Sequence, residues 1–68
     1  MGNRTMGEII CTLRREKGMT QKELADKLNI TDKAVSKWER GRCCPDLLIL
    51  DEVASALGVE VKDLFVFL

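Results

Sequence analysis

Thr20-Gln21-Lys22-Glu23-Leu24-Ala25-Asp26-Lys27-Leu28-Asn29-Ile30-Thr31-Asp32-Lys33-Ala34-Val35-Ser36-Lys37-Trp38-Glu39-Arg40-Gly41 is the stretch from which the architecture of this chain can be read. Thr20-x-x-Glu23 is a capping box: the Thr hydroxyl accepts from a first-turn amide, and the Glu carboxylate reaches back to the Thr amide. It opens a short helix through Leu28, with Leu24 and Leu28 turned inward. Asn29 follows, a residue that tolerates the left-handed backbone a sharp turn between helices requires. Thr31 caps the next helix, Asp32 lies at its positive end, and Gly41 terminates it. Ala25 is small where two helices meeting near a right angle must approach closely.

At about 100° per residue, Asp32, Lys33, Ser36, Lys37 and Arg40 fall within an arc of about 140°, while Ala34, Val35 and Trp38 fill the opposite side. An ordinary surface helix has the same two faces, so amphipathicity alone predicts only a packed helix with a solvated side. The preceding segment adds a second constraint. One short helix and a tight turn, Gln21 to Asn29, lead directly into Thr31. That spacing predicts a helix-turn-helix unit over about 21–40, whose second helix, Thr31 to Arg40, enters the major groove of DNA.

Toward the N-terminus, Thr5-x-x-Glu8 is another capping box. It opens a helix to about Lys17, with Met6, Ile10 and Leu13 on one stripe and Gly18 as its stop. Toward the C-terminus, Pro45-Asp46 starts a fourth helix in which Leu47, Leu50, Ala54 and Leu57 repeat at helical spacing before Gly58. Val61 to about Phe65 can form a short fifth helix, poorly capped by Glu60. No strand-like alternation, linker or low-complexity segment interrupts the pattern. The expected fold is all-α, with five helices in a single domain over residues 1–68. Its expected core is Met6, Ile10, Leu13, Leu24, Leu28, Val35, Trp38, Leu47, Leu50, Val53, Ala54, Leu57, Val61 and Leu64.

Sixty-eight residues support one thin core, buried only to about 60% of the surface the unfolded chain exposes. The formal net charge is zero, but it is unevenly spread. Residues 1–42 carry ten Lys or Arg against six Asp or Glu, and residues 43–68 carry one Lys against five acids. Phosphate responds to the local field, since charges beyond a Debye length are screened, so a basic first half is compatible with DNA. Cys11, Cys43 and Cys44 have no zinc-ligand spacing and there is no His, so no metal or cofactor is expected and the thiols read as reduced cytosolic groups. Neither a transmembrane run nor a signal peptide is visible, which predicts a cytoplasmic protein without a membrane partner. With no His, no Gly-rich phosphate loop and no nucleophile paired with a base, enzymatic chemistry is not expected.

Thr20 to Ala25, followed by Asn29 to Gly41, resembles the Cro and phage-repressor (XRE) family of bacterial and phage regulators. The run Lys37-Trp38-Glu39-Arg40-Gly41 is its most specific part, and the likeness extends from about Met6 to Phe65. The resemblance implies a compact five-helix, lambda-repressor-like DNA-binding domain. It implies that Gln21 binds a phosphate and buttresses the recognition helix, and that Asp32, Lys33, Ser36 and Lys37 face base edges. Arg40 and Arg42 match positions near the DNA backbone, with Thr31 grouped among the phosphate contacts. Arg14 and Glu39 match a pair that ties the first helix to the third by a salt bridge; otherwise they are two solvated charges worth little.

Side-chain chemistry is consistent with these roles. Lys33 or Lys37 can donate to guanine O6 and N7, and Asp32 either accepts from cytosine N4 or serves only its own helix N-terminus. Arg40 and Arg42 suit phosphate contact, which gives affinity and salt dependence without sequence information. Trp38 has apolar flanks and reads as core rather than as a base-stacking residue, beside Val35 and Ala25 as structural support.

Apolar residues exceed what this core needs. Ile9, Leu48 and Ile49 are left over, together with Phe65, Val66, Phe67 and Leu68. The surplus is expected either to fold over the first helix near Ile9, to form a subunit interface, or to be covered by a further segment of a longer chain. A homodimer through Leu48, Ile49 and the 59–68 segment is the expected assembly, reading a pseudo-palindromic double-stranded operator as a repressor by occupancy. Two other readings compete: an antitoxin-like or adaptor module whose apolar C-terminus binds a partner protein, and a redox sensor at Cys43 and Cys44.

Overall fold

The computed structural model describes residues 5–65. Four α-helices, α1 (Met6–Glu16), α2 (Gln21–Leu28), α3 (Asp32–Glu39) and α4 (Leu47–Leu57), are followed by a 3-10 turn, Val61–Phe65, and no strand occurs among the described residues. The expected short fifth helix is present over Val61–Phe65 in 3-10 rather than α form. Five residues are too few to propagate i→i−4 bonding, and the turn is held by Asp63 N–H donating to the Glu60 carbonyl at 2.9 Å. Its start is capped by Asp63, whose Oδ2 accepts from the Glu60 amide at 3.1 Å.

The helix ends follow from their capping chemistry. Both capping boxes are complete: Thr5 and Thr20 accept from the amides of Glu8 and Glu23 at 3.2 and 3.0 Å, and each Glu accepts in return at 3.0 and 2.8 Å. Asn29 closes α2 in the left-handed region at φ 59°, which lets Ile30 N–H reach the Ala25 carbonyl at 3.0 Å and turns the chain sharply into α3. Thr31 accepts from the Ala34 amide at 3.2 Å, so α3 spans Asp32–Glu39 with Thr31 and Arg40 as its flanking caps.

The core is shared by all four helices, with α1 and α2 each packed on α3 and on α4 and the 3-10 turn closing the α1–α4 side. Ile10, Leu24, Val35, Val53, Leu57 and Leu64 are fully buried. Three expectations about the core change. Leu47 is 81% exposed, because side chains tilt toward a helix N-terminus and a first-turn residue projects past the end of α4. Ile9, expected to be surplus, is buried at 7% exposure: α1 meets α3 on one flank and α4 with the 3-10 turn on another, so its buried face is wider than a single stripe. Leu13 and Val61 are only half-buried, at the margin of the core.

Gly7 sets the closeness of the α1–α3 crossing. A Cβ placed there would sit 1.8 Å from the Trp38 carbonyl oxygen and 2.7 Å from its carbon, so only a hydrogen fits between the two backbones.

Candidate nucleic-acid interface

α3 turns its two faces in opposite directions. Val35 and Trp38 are buried at 0% and 6% exposure, while Asp32, Lys33, Lys37 and Arg40 are exposed and Ser36 is half-buried. Thr31 is exposed at the head of the helix with its hydroxyl oxygen engaged in the cap. Gly41, at φ 77°, reverses the chain after α3, and Arg42 follows on the exposed side of that turn. Two ammoniums, two guanidiniums and a carboxylate are thus offered by α3 and its exit.

The inner flank of α3 is tied down by an ion pair that spans the fold. Arg14 Nε donates to Glu39 Oε2 at 2.7 Å and its Nη2 donates to Oε1 at 3.0 Å, a bidentate fork between α1 and α3. The two side chains are only 10% and 6% exposed, so they are not the solvated charges of the alternative reading. Arg14 Nη1 also donates to the Met19 carbonyl at 2.7 Å, and Met19 N–H donates back to the Arg14 carbonyl at 3.1 Å. Cys11 Sγ lies 3.7 Å from Nη2. Gln21 Nε2, at the first turn of α2, donates to Glu39 Oε1 at 2.9 Å. The Glu39 carboxylate therefore joins α1, α2 and α3, and the Arg14 guanidinium adds the α1–α2 loop through Met19.

Burial is the largest influence on the Glu39 carboxyl and pushes it up. The hydrogen bonds from Arg14 and Gln21, the Arg14 charge and the Cys11 contact together outweigh it and hold the carboxyl below its usual range. The Glu39 hydrogen bond likewise holds the Arg14 guanidinium above its ordinary value, against burial. Among the described side chains no buried nitrogen or oxygen lacks a partner, so the brace is fully satisfied.

Of the residues named from sequence, Gln21, Thr31, Asp32, Lys33, Ser36, Lys37 and Arg40 lie on or around the start and outer side of the two-helix unit, with Arg42 just past it. Leu48 is 94% exposed and Ile49 half-buried on α4, Phe65 is 45% exposed, and Val66, Phe67 and Leu68 lie outside the described residues. Gly7 and the Met19 carbonyl were not singled out from sequence. A glycine inside a helical pattern, where alanine would be about 1 kcal/mol better, was the available signal for Gly7. Nothing local marks the carbonyl.

Comparison with known proteins agrees with this geometry. Residues 12–64 match the helix-turn-helix family. The chain is 37% identical over 62 residues to an uncharacterized HTH-type transcriptional regulator of Methanothermobacter thermautotrophicus, covering 90% of each chain. It is 40% identical over 58 residues to the immunity repressor protein of Bacillus phage phi105, covering 85% of this chain but spanning only 40% of that repressor. Among solved structures, the P22 c2 repressor in complex with a synthetic operator superposes with a TM-score of 0.85 at 28% identity, covering 90% of this chain and 92% of that one. No helix among the described residues is long and apolar enough to cross a membrane. The chain belongs to the Cro and phage-repressor (XRE) type of helix-turn-helix family, whose members are DNA-binding transcriptional regulators.

Proposed function

We propose that this protein binds double-stranded DNA sequence-specifically and represses transcription by occupying an operator, without catalytic chemistry. The observation that carries the reading is the fixation of α3: Val35, Trp38 and the Arg14–Glu39–Gln21 brace hold one side, leaving a polar, mostly basic side outward. A helix that presents donors from a rigid mount meets the requirement for base readout, since a loosely held helix averages over registers. Lys33 and Lys37 read guanine edges, Ser36 supplies a short-range hydroxyl, and Arg40, Arg42, Thr31 and Gln21 contact phosphates. Gln21 spends one amide hydrogen on Glu39 and keeps the other for a phosphate oxygen. Asp32 accepts from cytosine if a base lies within reach of the α3 N-terminus.

The proposed assembly is a twofold dimer, with Leu48 and Ile49 of α4 and the segment beyond residue 59 at the interface. It would place two α3 helices about 34 Å apart on a pseudo-palindromic site. The exposure of Leu47 and Leu48 supports this reading, because adjacent large apolar side chains gain by leaving water. The cytoplasm is the proposed compartment.

The test is selection from random duplexes, followed by Lys33→Ala, Lys37→Ala and Arg42→Ala on the selected site. Either lysine change should relax preference at particular positions at a cost of about 1–3 kcal/mol. Arg42→Ala should weaken all sequences alike and flatten the salt slope. Equal, sequence-independent losses from all three would show that α3 does not read bases.

A further inference from the structure

The loop between α3 and α4 holds a feature that DNA binding leaves unused. Cys43 and Cys44 are adjacent, both exposed, and among the described residues neither has a hydrogen-bond partner. The span that carries them is anchored at both ends. On one side Gly41 and Arg42 N–H donate to the Trp38 and Lys37 carbonyls at 3.0 and 2.9 Å, and on the other Pro45 is buried. Two thiols thus sit on a short free span whose torsions can adjust without disturbing either helix.

Adjacent Cα atoms are only about 3.8 Å apart, below the usual disulfide range, so a direct bond between these two sulfurs is strained. A single atom bridging the sulfurs lengthens that link and relieves the constraint. The thiolate is a soft ligand, which selects a soft, thiophilic centre. Pyramidal arsenic(III) takes two neighbouring sulfurs at a narrow angle and keeps a third substituent. Room for that substituent is present: Cys44 lines a cleft of about 370 Å³ with Trp38, Leu48, Ile49, Asp46 and Glu52.

We propose that Cys43 and Cys44 form a dithiol site for trivalent arsenic, with the third substituent lying in the Trp38–Ile49 cleft. For arsenous acid the balance is simple. Two As–O bonds break and two As–S bonds form, the two thiol protons leave with the displaced hydroxides as two waters, and arsenic stays trivalent.

Phenylarsine oxide is the probe; its As=O oxygen leaves with both thiol protons as one water. Reduced full-length protein should take up one phenylarsenic group per chain by intact mass, mapped by fragmentation to residues 43–44, with altered Trp38 emission. Cys43→Ser and Cys44→Ser should each weaken binding about 100-fold or more, because the second sulfur attacks at high effective concentration. Both side chains are exposed, so unchanged circular dichroism would show that the variants fold. An adduct on Cys11, one arsenic bridging two chains, or an affinity indifferent to either substitution would overturn the site. A tight adduct with unchanged Trp38 emission would overturn the role of the cleft. None of these readouts depends on DNA.

Discussion

Removing one partner of the Arg14–Glu39 pair should be among the most damaging single changes in this domain. In Glu39→Leu, the guanidinium keeps the Met19 carbonyl and the Cys11 contact but loses its counter-charge at 10% side-chain exposure. An uncompensated buried charge costs about 3–5 kcal/mol, and the residual solvent access of this pair favours the lower end, about 3 kcal/mol. A 68-residue domain has only about 3–10 kcal/mol of stability in total, so the loss is a third of it or more. The melting temperature should fall by about 12–24 °C. Arg14→Met should behave alike, leaving the Glu39 carboxylate with Gln21 as its remaining donor. Because both charges leave together in Arg14→Met/Glu39→Leu, and apolar replacements of buried pairs are often near neutral, the double variant should recover most of the loss. Urea titrations of the four proteins give the coupling energy, expected at about 2 kcal/mol or more. Single losses below about 1 kcal/mol with no coupling, the behaviour of an exposed pair, would refute the brace. The pair also sets the acid limb. The Glu39 carboxyl is held below its unfolded value, so its contribution is present above that value and lost as pH falls through the folded one. Arg14 is held above its unfolded value by that same carboxylate, so its contribution is present at neutral pH, goes with that of Glu39 on the acid side, and is otherwise lost only in strong alkali.

Gly7→Ala should destabilise the domain by about 2–3 kcal/mol, measured by thermal unfolding, because the new methyl meets the Trp38 backbone, which cannot swing aside as a side chain would. Asn29→Gly should be nearly neutral, whereas Asn29→Val should cost about 1–2 kcal/mol at a φ of 59°; equal effects of the two would show that this turn does not depend on the left-handed residue. Leu48→Lys, at 94% exposure, should change monomer stability by no more than about 0.5 kcal/mol. If α4 forms the dimer, the same change should abolish concentration-dependent sedimentation; wild-type protein that sediments as a monomer at high micromolar concentration, with and without operator, would refute the dimer.

Local chemistry determined the helix boundaries. Thr5, Thr20 and Thr31 carry their own capping partners within three residues, and Asn29 accepts a backbone that most residues avoid, so these ends could be read without knowing the fold. The two faces of α3 were equally legible, because a 3.6-residue period separates Val35 and Trp38 from Lys33 and Lys37 in any surroundings. What lies opposite a face is a different matter. Leu47 and Leu50 share a helical stripe, yet one is in water and the other in the core, since a period gives direction and not the presence of a neighbour. Ile9 became core only because α1 is covered from two sides. Arg14 and Glu39, twenty-five positions apart, could be paired from sequence only through family resemblance. That they are shielded from water, and that Gln21 and the Met19 carbonyl complete their hydrogen bonds, was decided by the tertiary structure, because desolvation is a property of everything that surrounds a charge.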